Sequence, residues 1–149
     1  MWEVRLGLDA VPVAAAIILN DEGQVLLARR SEGDPQGPRW EFPGGKLRKG
    51  ESPQECLRRE LQEELGIEAE VADFFHAVEQ ELGDRSILLL AYFCRWNRGE
   101  IELRAHSAFR WTDLRDLMEM DLLEADRVVA AKLMSQWKSA GEQPGLRRG

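Results

Sequence analysis

The sequence predicts an α/β fold: an α/β/α sandwich on a mixed sheet with two main helices. Three observations predict it. Apolar, strand-like runs lie on both sides of one internal helix. A second amphipathic stripe follows near the end, and Gly-, Pro-, Asn- and Asp-rich turns separate the runs.

Val11 to Leu19 is an apolar run closed by Asn20-Asp21-Glu22-Gly23, with Gln24 to Arg30 after it, a pattern that predicts a hairpin. Glu41-Phe42 predicts a short strand entering the Pro43-Gly44-Gly45 turn. Pro53 to Leu65 predicts a helix: Ser52 is its N-cap, Pro53 its first residue, Glu55 the partner in a capping box and Gly66 its terminator. Ile67 to Glu81 alternates as one strand or two, and Ser86 to Trp96 is a long apolar strand beyond the Gly83-Asp84 turn. The turn Asn97-Arg98-Gly99 leads into Glu100 to Arg104. Phe109 to Trp111 reads as a short strand and Asp113 to Leu117 as a helical turn. Asp126 to Lys138 carries Val128, Val129, Leu133, Met134 and Trp137 at helical spacing.

The 149 residues suit one domain over 1–138, enough chain to bury roughly 70% of its unfolded surface. The polar, Gly/Pro-containing stretch 139–149 reads as a disordered tail. Hydrophobic residues make up 44% and charged residues 32%, the balance of a globular protein. A net charge of −7 argues against a nucleic acid polymer as partner, because a phosphate backbone demands a basic stripe. Met1-Trp2-Glu3-Val4-Arg5 lacks the layout of a signal peptide, and no apolar run reaches membrane-spanning length. Cys56 and Cys94 are too few for a disulfide framework, so both are expected reduced, in a cytoplasmic protein with no membrane partner. Nothing in the sequence assigns a protein partner.

The most informative stretch runs from Gly45 to Ile67. Glu60, Glu63 and Glu64 lie at i, i+3 and i+4, on one side of the expected helix. With Leu57 at zero, Leu57, Leu61 and Leu65 span about 0 to 80°, with Glu60 at about 300°, Glu64 at about 340° and Glu63 at about 240°. Two carboxylates therefore border the buried stripe. A solvated Glu/Arg face is the ordinary reading of such a cluster. Mutual repulsion beside a core favours the other reading, a cation held by hard oxygen ligands, Mg²⁺ or Mn²⁺ rather than zinc.

The segment resembles the signature of the Nudix hydrolases, G-x5-E-x7-R-E-U-x-E-E-x-G-U with U a bulky aliphatic residue. Gly45, Glu51, Arg59, Glu60, Leu61, Glu63, Glu64, Gly66 and Ile67 match every fixed position. Trp40-Glu41-Phe42-Pro43-Gly44-Gly45-Lys46 is similar to the MutT branch, whose members hydrolyse oxidised or surplus nucleoside triphosphates. The likeness extends from about Val13 to Leu133. It implies an α/β/α sandwich, a Mg²⁺-dependent pyrophosphohydrolase for which Mn²⁺ can substitute, and a small nucleoside triphosphate as partner. The expected metal shell is the Gly44 carbonyl with Glu60, Glu63 and Glu64. These three carboxylates and Arg59 form the expected catalytic set, Arg59 orienting Glu51 or Glu60.

Arg30, Glu41, Phe42 and Asp126 are the expected substrate-binding residues. Each has a plainer alternative: an exposed strand-end arginine, core aromatic packing at Trp40 and Phe42, and a helix N-cap at Asp126. MutT itself has Asn where Asp126 stands. In its relatives a Glu commonly occupies the place of Ala105, so Glu102 or His106 substitutes here or the helix carboxylates act alone. The implied activity is removal of damaged nucleotides from the pool, 8-oxo-dGTP giving 8-oxo-dGMP and pyrophosphate, in support of DNA repair. A CTP or dCTP pyrophosphohydrolase is the second reading and a non-catalytic nucleotide sensor the third.

Overall fold

The computed structural model describes residues 10–140, with side chains to residue 137. Of the tail expected over 139–149, residues 139 and 140 belong to a helix, and 141–149, like the amino terminus, lie outside the described residues. In chain order the elements are β1 Ala10–Ile18, β2 Gln24–Arg29, β3 Trp40–Glu41, β4 Gly44–Lys46, α1 Pro53–Leu65, β5 Glu68–Leu82, β6 Arg85–Arg98 and β7 Ala108–Asp113. A 3₁₀ turn, Leu114–Glu119, and α2, Glu124–Ala140, complete them. Among the described residues no helix is long and apolar enough to cross a membrane.

The strands form two sheets. One is mixed, in the order β4-β1-β6-β5, with β1 and β6 parallel; the other is antiparallel, in the order β3-β2-β7. The apolar run of β1 is buried on both faces. Ala14, Ala16 and Ile18 pack in the core that holds Leu57, Leu61 and Leu65 of α1, while Ala15 and Ile17 pack in the core that holds Val129, Ala130 and Leu133 of α2. β2 divides its side chains the same way, Leu26 toward α1 and Val25 and Leu27 toward α2. The two helices therefore cover opposite faces, which is the α/β/α sandwich expected.

One expectation is corrected. β1 and β2 do not pair as a hairpin: past a single Leu19–Val25 bridge at the turn they run in different sheets. Both edges of β1 are occupied, by β4 and by β6, so no hydrogen-bonding edge remains for β2. The strands diverge, and the site opens between the sheets. Two smaller differences follow the same ladder logic. β6 runs to Arg98 because β5 pairs with it that far, and Glu100 to Arg104 is irregular chain after the positive φ of Gly99.

α1 is built as its sequence implies. Ser52 accepts from the Glu55 N–H and Glu55 reaches back to the Ser52 N–H, with Pro53 at the first turn. Gly66, at φ 69°, ends the helix in the left-handed conformation. Leu57, Leu61 and Leu65 are fully buried, each stabilising the docked helix by about 1.5–3 kcal/mol.

Candidate active site

A pocket of about 650 Å³ opens at the seam, within the size range of small-molecule sites. β4 and α1 supply Gly44, Gly45, Glu60 and Glu64. The end of β2, β3 and the start of α2 supply Arg30, Glu41, Phe42 and Asp126, and the chain before β7 supplies Ala105 and His106. Val11, Val13, Ile87 and Leu89, on one face of β1 and β6, form its apolar floor.

The glycines make room for the carboxylates. A Cβ on Gly45 would stand 2.5 Å from the Glu60 carboxyl carbon. Gly44 has φ 155°, and a Cβ there would collide with the Ala14 carbonyl. Pro43 and Leu47 bond to β1 through Pro43 O and Leu47 N, so antiparallel alternation turns the Gly44 carbonyl toward the open side of the β4 edge.

Glu64 is half-buried beside Glu60. Burial first, then the charge of Glu60, pushes its pKa up to about 7, with the nearby His106 opposing. Its Oε1 is buried with no hydrogen-bond partner among the described residues. Glu63 stands apart. It is half-exposed, does not line the pocket, and pairs with Arg59 Nη1 at 3.3 Å and Arg48 at 3.7 Å. Arg59 is the hub behind the carboxylates: Nε and Nη2 grip Glu51 at 2.7 and 2.9 Å, and Nη1 reaches Glu60 at 3.0 Å. The Arg59 hydrogen bond, helped by the Arg48 N–H, holds the Glu51 carboxyl down at about 2. Arg59 thus orients both Glu51 and Glu60.

In the same pocket, the Arg30 fork donates to Asp34 at 2.6 Å and to Glu41 Oε1 at 2.9 Å. Burial works against the Arg30 charge, but its bond to Asp34 and the charge of Glu41 outweigh it and raise its pKa. Trp40 and Phe42 both pack in the α2-side core, and Phe42 also lines the pocket, so core packing and pocket wall coexist in it.

Asp126 is not the N-cap that one reading expected, because α2 begins at Glu124 and Asp126 lies inside its first turn. Its Oδ2 instead accepts from the Phe42 N–H at 2.9 Å, and the residue is 5% exposed. Burial, then repulsion from Glu41, raises its pKa to about 8, so at neutral pH it is mainly a protonated acid that both donates and accepts.

Of the two residues offered from sequence as substitutes for the Glu at the place of Ala105, His106 enters the pocket, while Glu102 stays outside it in an exposed pair with Arg104. His106 Nε2 lies 2.8 Å from Glu41 Oε2. No local signal ties His106 to Glu41, which is 65 residues away. Arg85, at the β5–β6 turn, also lines the pocket and was not singled out.

Among the described residues, no three His, Cys, Asp or Glu side chains converge as a ready-made metal cluster. The donor set nonetheless fits Mg²⁺. That ion keeps several waters and is usually held by one or two carboxylates together with substrate phosphates. Two crowded carboxyl groups, one with an orphaned buried oxygen, beside an outward carbonyl supply those protein ligands.

The NUDIX domain family model matches residues 10–135. A CTP pyrophosphohydrolase of Escherichia coli K12 is 38% identical over 119 residues, 80% of this chain and 87% of that protein. An 8-oxo-dGTP diphosphatase of the same organism is 34% identical over 126 residues, 85% of this chain and 98% of that protein. The crystal structure of a MutT protein from Methanosarcina mazei Go1 superposes with TM-score 0.78 at 26% identity, covering 87% of this chain and 96% of that one. The signature helix with its glycine turn, the two-sheet sandwich and these likenesses agree: the chain belongs to the Nudix family, as a MutT-type hydrolase of nucleoside diphosphate-linked substrates.

Proposed function

We propose that the protein is a Mg²⁺-dependent nucleoside triphosphate pyrophosphohydrolase that clears 8-oxo-dGTP from the nucleotide pool, releasing 8-oxo-dGMP and pyrophosphate. One observation carries the reading. A single pocket places two crowded carboxylates at a glycine turn together with hydrogen-bonding groups suited to a base edge, Arg30, Glu41 and Asp126, with Phe42 beside them. Glu60, Glu64 and the Gly44 carbonyl would hold the metal, with Glu63 behind them tied to Arg59. When bound, the ion would neutralise phosphate oxygens and stabilise charge developing on them. The chain's own residues do the rest. Arg59 fixes Glu60, the crowded Glu60–Glu64 pair supplies a proton acceptor beside the phosphates, and Arg30, Glu41 and Asp126 orient the nucleoside. Water attacks a phosphorus of the triphosphate chain, the P–O bond breaks, and the water proton leaves to a carboxylate.

A second reading, hydrolysis of CTP or dCTP, is favoured by Asp126 itself. A buried Asp in place of the Asn of MutT presents a different pattern to the base, and a relative at 38% identity is a CTP pyrophosphohydrolase. Measuring kcat/KM for 8-oxo-dGTP, dGTP, CTP and dCTP decides between them. A preference of tenfold or more for 8-oxo-dGTP supports the first reading, the reverse order supports the second, and no hydrolysis of any of the four overturns both.

A further inference from the structure

His106 is built into the pocket more firmly than a spectator would be. Its side chain is 5% exposed, and the backbone on both sides of it is pinned to the end of β2. Ser31 Oγ donates to the Ala105 carbonyl at 3.2 Å, and the Ser107 N–H donates to the Arg29 carbonyl at 2.9 Å. Facing a carboxylate, Nε2 carries the hydrogen toward Glu41 Oε2. The other Glu41 oxygen is held by Arg30. Two donors from different segments therefore grip the two oxygens of one carboxylate. Glu41 stands on a two-residue strand, and its flexible side chain would otherwise lose orientation readily. Each oxygen keeps a second lone pair, so the clamped group can still accept from a donor on a bound base.

The clamp is not arranged for stability. His106 Nδ1 and Arg30 Nε are both buried without a hydrogen-bond partner among the described residues. Unpaired buried polar atoms are uncommon in folded proteins and are often kept for a functional reason. Asp34 holds the far side of the Arg30 fork, so the line Asp34–Arg30–Glu41–His106 alternates acid and base across one wall of the pocket.

We propose that His106 is a positioning residue for nucleotide selectivity: by gripping Glu41 it fixes that carboxylate, and with it the Arg30 fork, against the base of the bound nucleotide. The inference rests on the reading of this pocket as a nucleotide site. In that reading the His106 hydrogen bond goes to Glu41, a nucleoside-binding residue, and not to Glu64, which it also neighbours. Loss of His106 therefore weakens binding and blurs base choice more than it slows the chemical step.

The test compares His106→Ala, His106→Asn and His106→Gln with the parent protein. The Gln amide can replace the Nε2 donor; Asn is polar but too short to reach. Two readouts are taken: kcat and KM over 8-oxo-dGTP, dGTP, CTP and dCTP, and affinity for the corresponding monophosphates in EDTA, where no metal contributes. The Ala and Asn variants should raise KM for the preferred substrate about tenfold, the scale of one lost charge-assisted hydrogen bond, and flatten the ranking. Their kcat should change less, and Gln should restore the ranking. In a Glu41→Ala background, His106→Ala should add little, because the two act as a unit. An unchanged ranking in the Asn variant, failure of Gln to rescue, or full additivity with Glu41→Ala overturns the inference while leaving hydrolysis intact. His106-dependent binding of monophosphates by a protein that hydrolyses nothing would uphold it and overturn the proposed activity. Binding of no nucleotide overturns both.

Discussion

Asp126, from the first turn of α2, accepts a hydrogen bond from the backbone N–H of Phe42, 84 positions earlier, at 2.9 Å. That bond joins the helix to the segment leading into the glycine turn and leaves a mainly protonated acid in the pocket wall. Asp126→Asn can keep the bond through its amide oxygen while fixing a donor where the acid could both donate and accept. It should reorder kcat/KM across 8-oxo-dGTP, dGTP, CTP and dCTP without abolishing hydrolysis. Asp126→Ala strands the Phe42 N–H and should cost about 1–3 kcal/mol of stability. A lowered melting point in the Ala variant with an unchanged substrate ranking in both would assign Asp126 to structure alone.

The same residue gives stability a pH dependence. Its folded pKa, about 8, lies far above the unfolded value of about 3.9. Between those values the folded state binds more protons than the unfolded chain, so this contribution falls as pH rises from about 4 to about 8, by up to about 1.4 kcal/mol per pH unit. Asp126→Asn removes that titration. Its melting temperature relative to the parent should climb steadily from pH 5 to pH 8. A constant difference over that range would show that the buried carboxyl does not titrate there.

Along α1, carboxylates of one residue type should separate into three classes. Glu64→Gln alters a half-buried pocket group and should lower kcat on the order of 10²-fold or more with the fold intact. Glu63→Gln alters a half-exposed group paired with Arg48 and Arg59, and should cost clearly less. Glu55→Gln retains a capping side chain and most of the activity. Equal losses in Glu63→Gln and Glu64→Gln would erase the distinction drawn from their placement.

Arg59→Lys keeps the charge but not the fork that grips Glu51 through two nitrogens while reaching Glu60. Loss of the partner that orients a metal ligand typically costs roughly 10–100-fold, and the fall should appear in kcat or in apparent Mg²⁺ affinity. The Lys variant should also be less stable than the parent above about pH 4.3, the difference shrinking as pH falls toward 2. Glu51, held at about 2, contributes stability that is fully present above its unfolded pKa of about 4.3 and is lost as pH falls toward 2. An acid-unfolding midpoint identical to the parent's would show that the grip adds nothing.

Metal dependence is tested directly. Hydrolysis should disappear in EDTA and return with Mg²⁺ or Mn²⁺, because the pocket offers carboxylate and carbonyl oxygens. Undiminished turnover in excess chelator, or rescue by Zn²⁺ alone, would contradict the ligand set.

Much of this was legible in the sequence because the features are local. The caps of α1 and its buried stripe involve residues within a few positions of one another, and the wheel already set Glu60 and Glu64 beside the stripe with Glu63 farther round. What stayed hidden depends on long-range partners. Nothing near Leu19 shows that β1 spends both edges on β4 and β6, so a hairpin was the natural reading of its turn. The plainer alternative at Asp126, an N-cap, needed only local chain, whereas its actual partner is Phe42. His106 was marked only as a candidate substitute at the place of Ala105, and its pairing with Glu41, 65 residues away, stayed hidden for the same reason.

The parting of β1 from β2 divides the labour of the pocket in a way that bears on how such a site changes over time. In the proposed function, Gly44 to Glu64, one short stretch of chain, carries the phosphate end. Arg30, Glu41, His106 and Asp126 come to the base end from separated parts of the sequence. A substitution in the first group strikes the reaction itself. One in the second can redraw what is admitted while bond cleavage continues. A lineage built on this plan can exchange substrates by scattered single replacements while its hydrolytic segment stays the same.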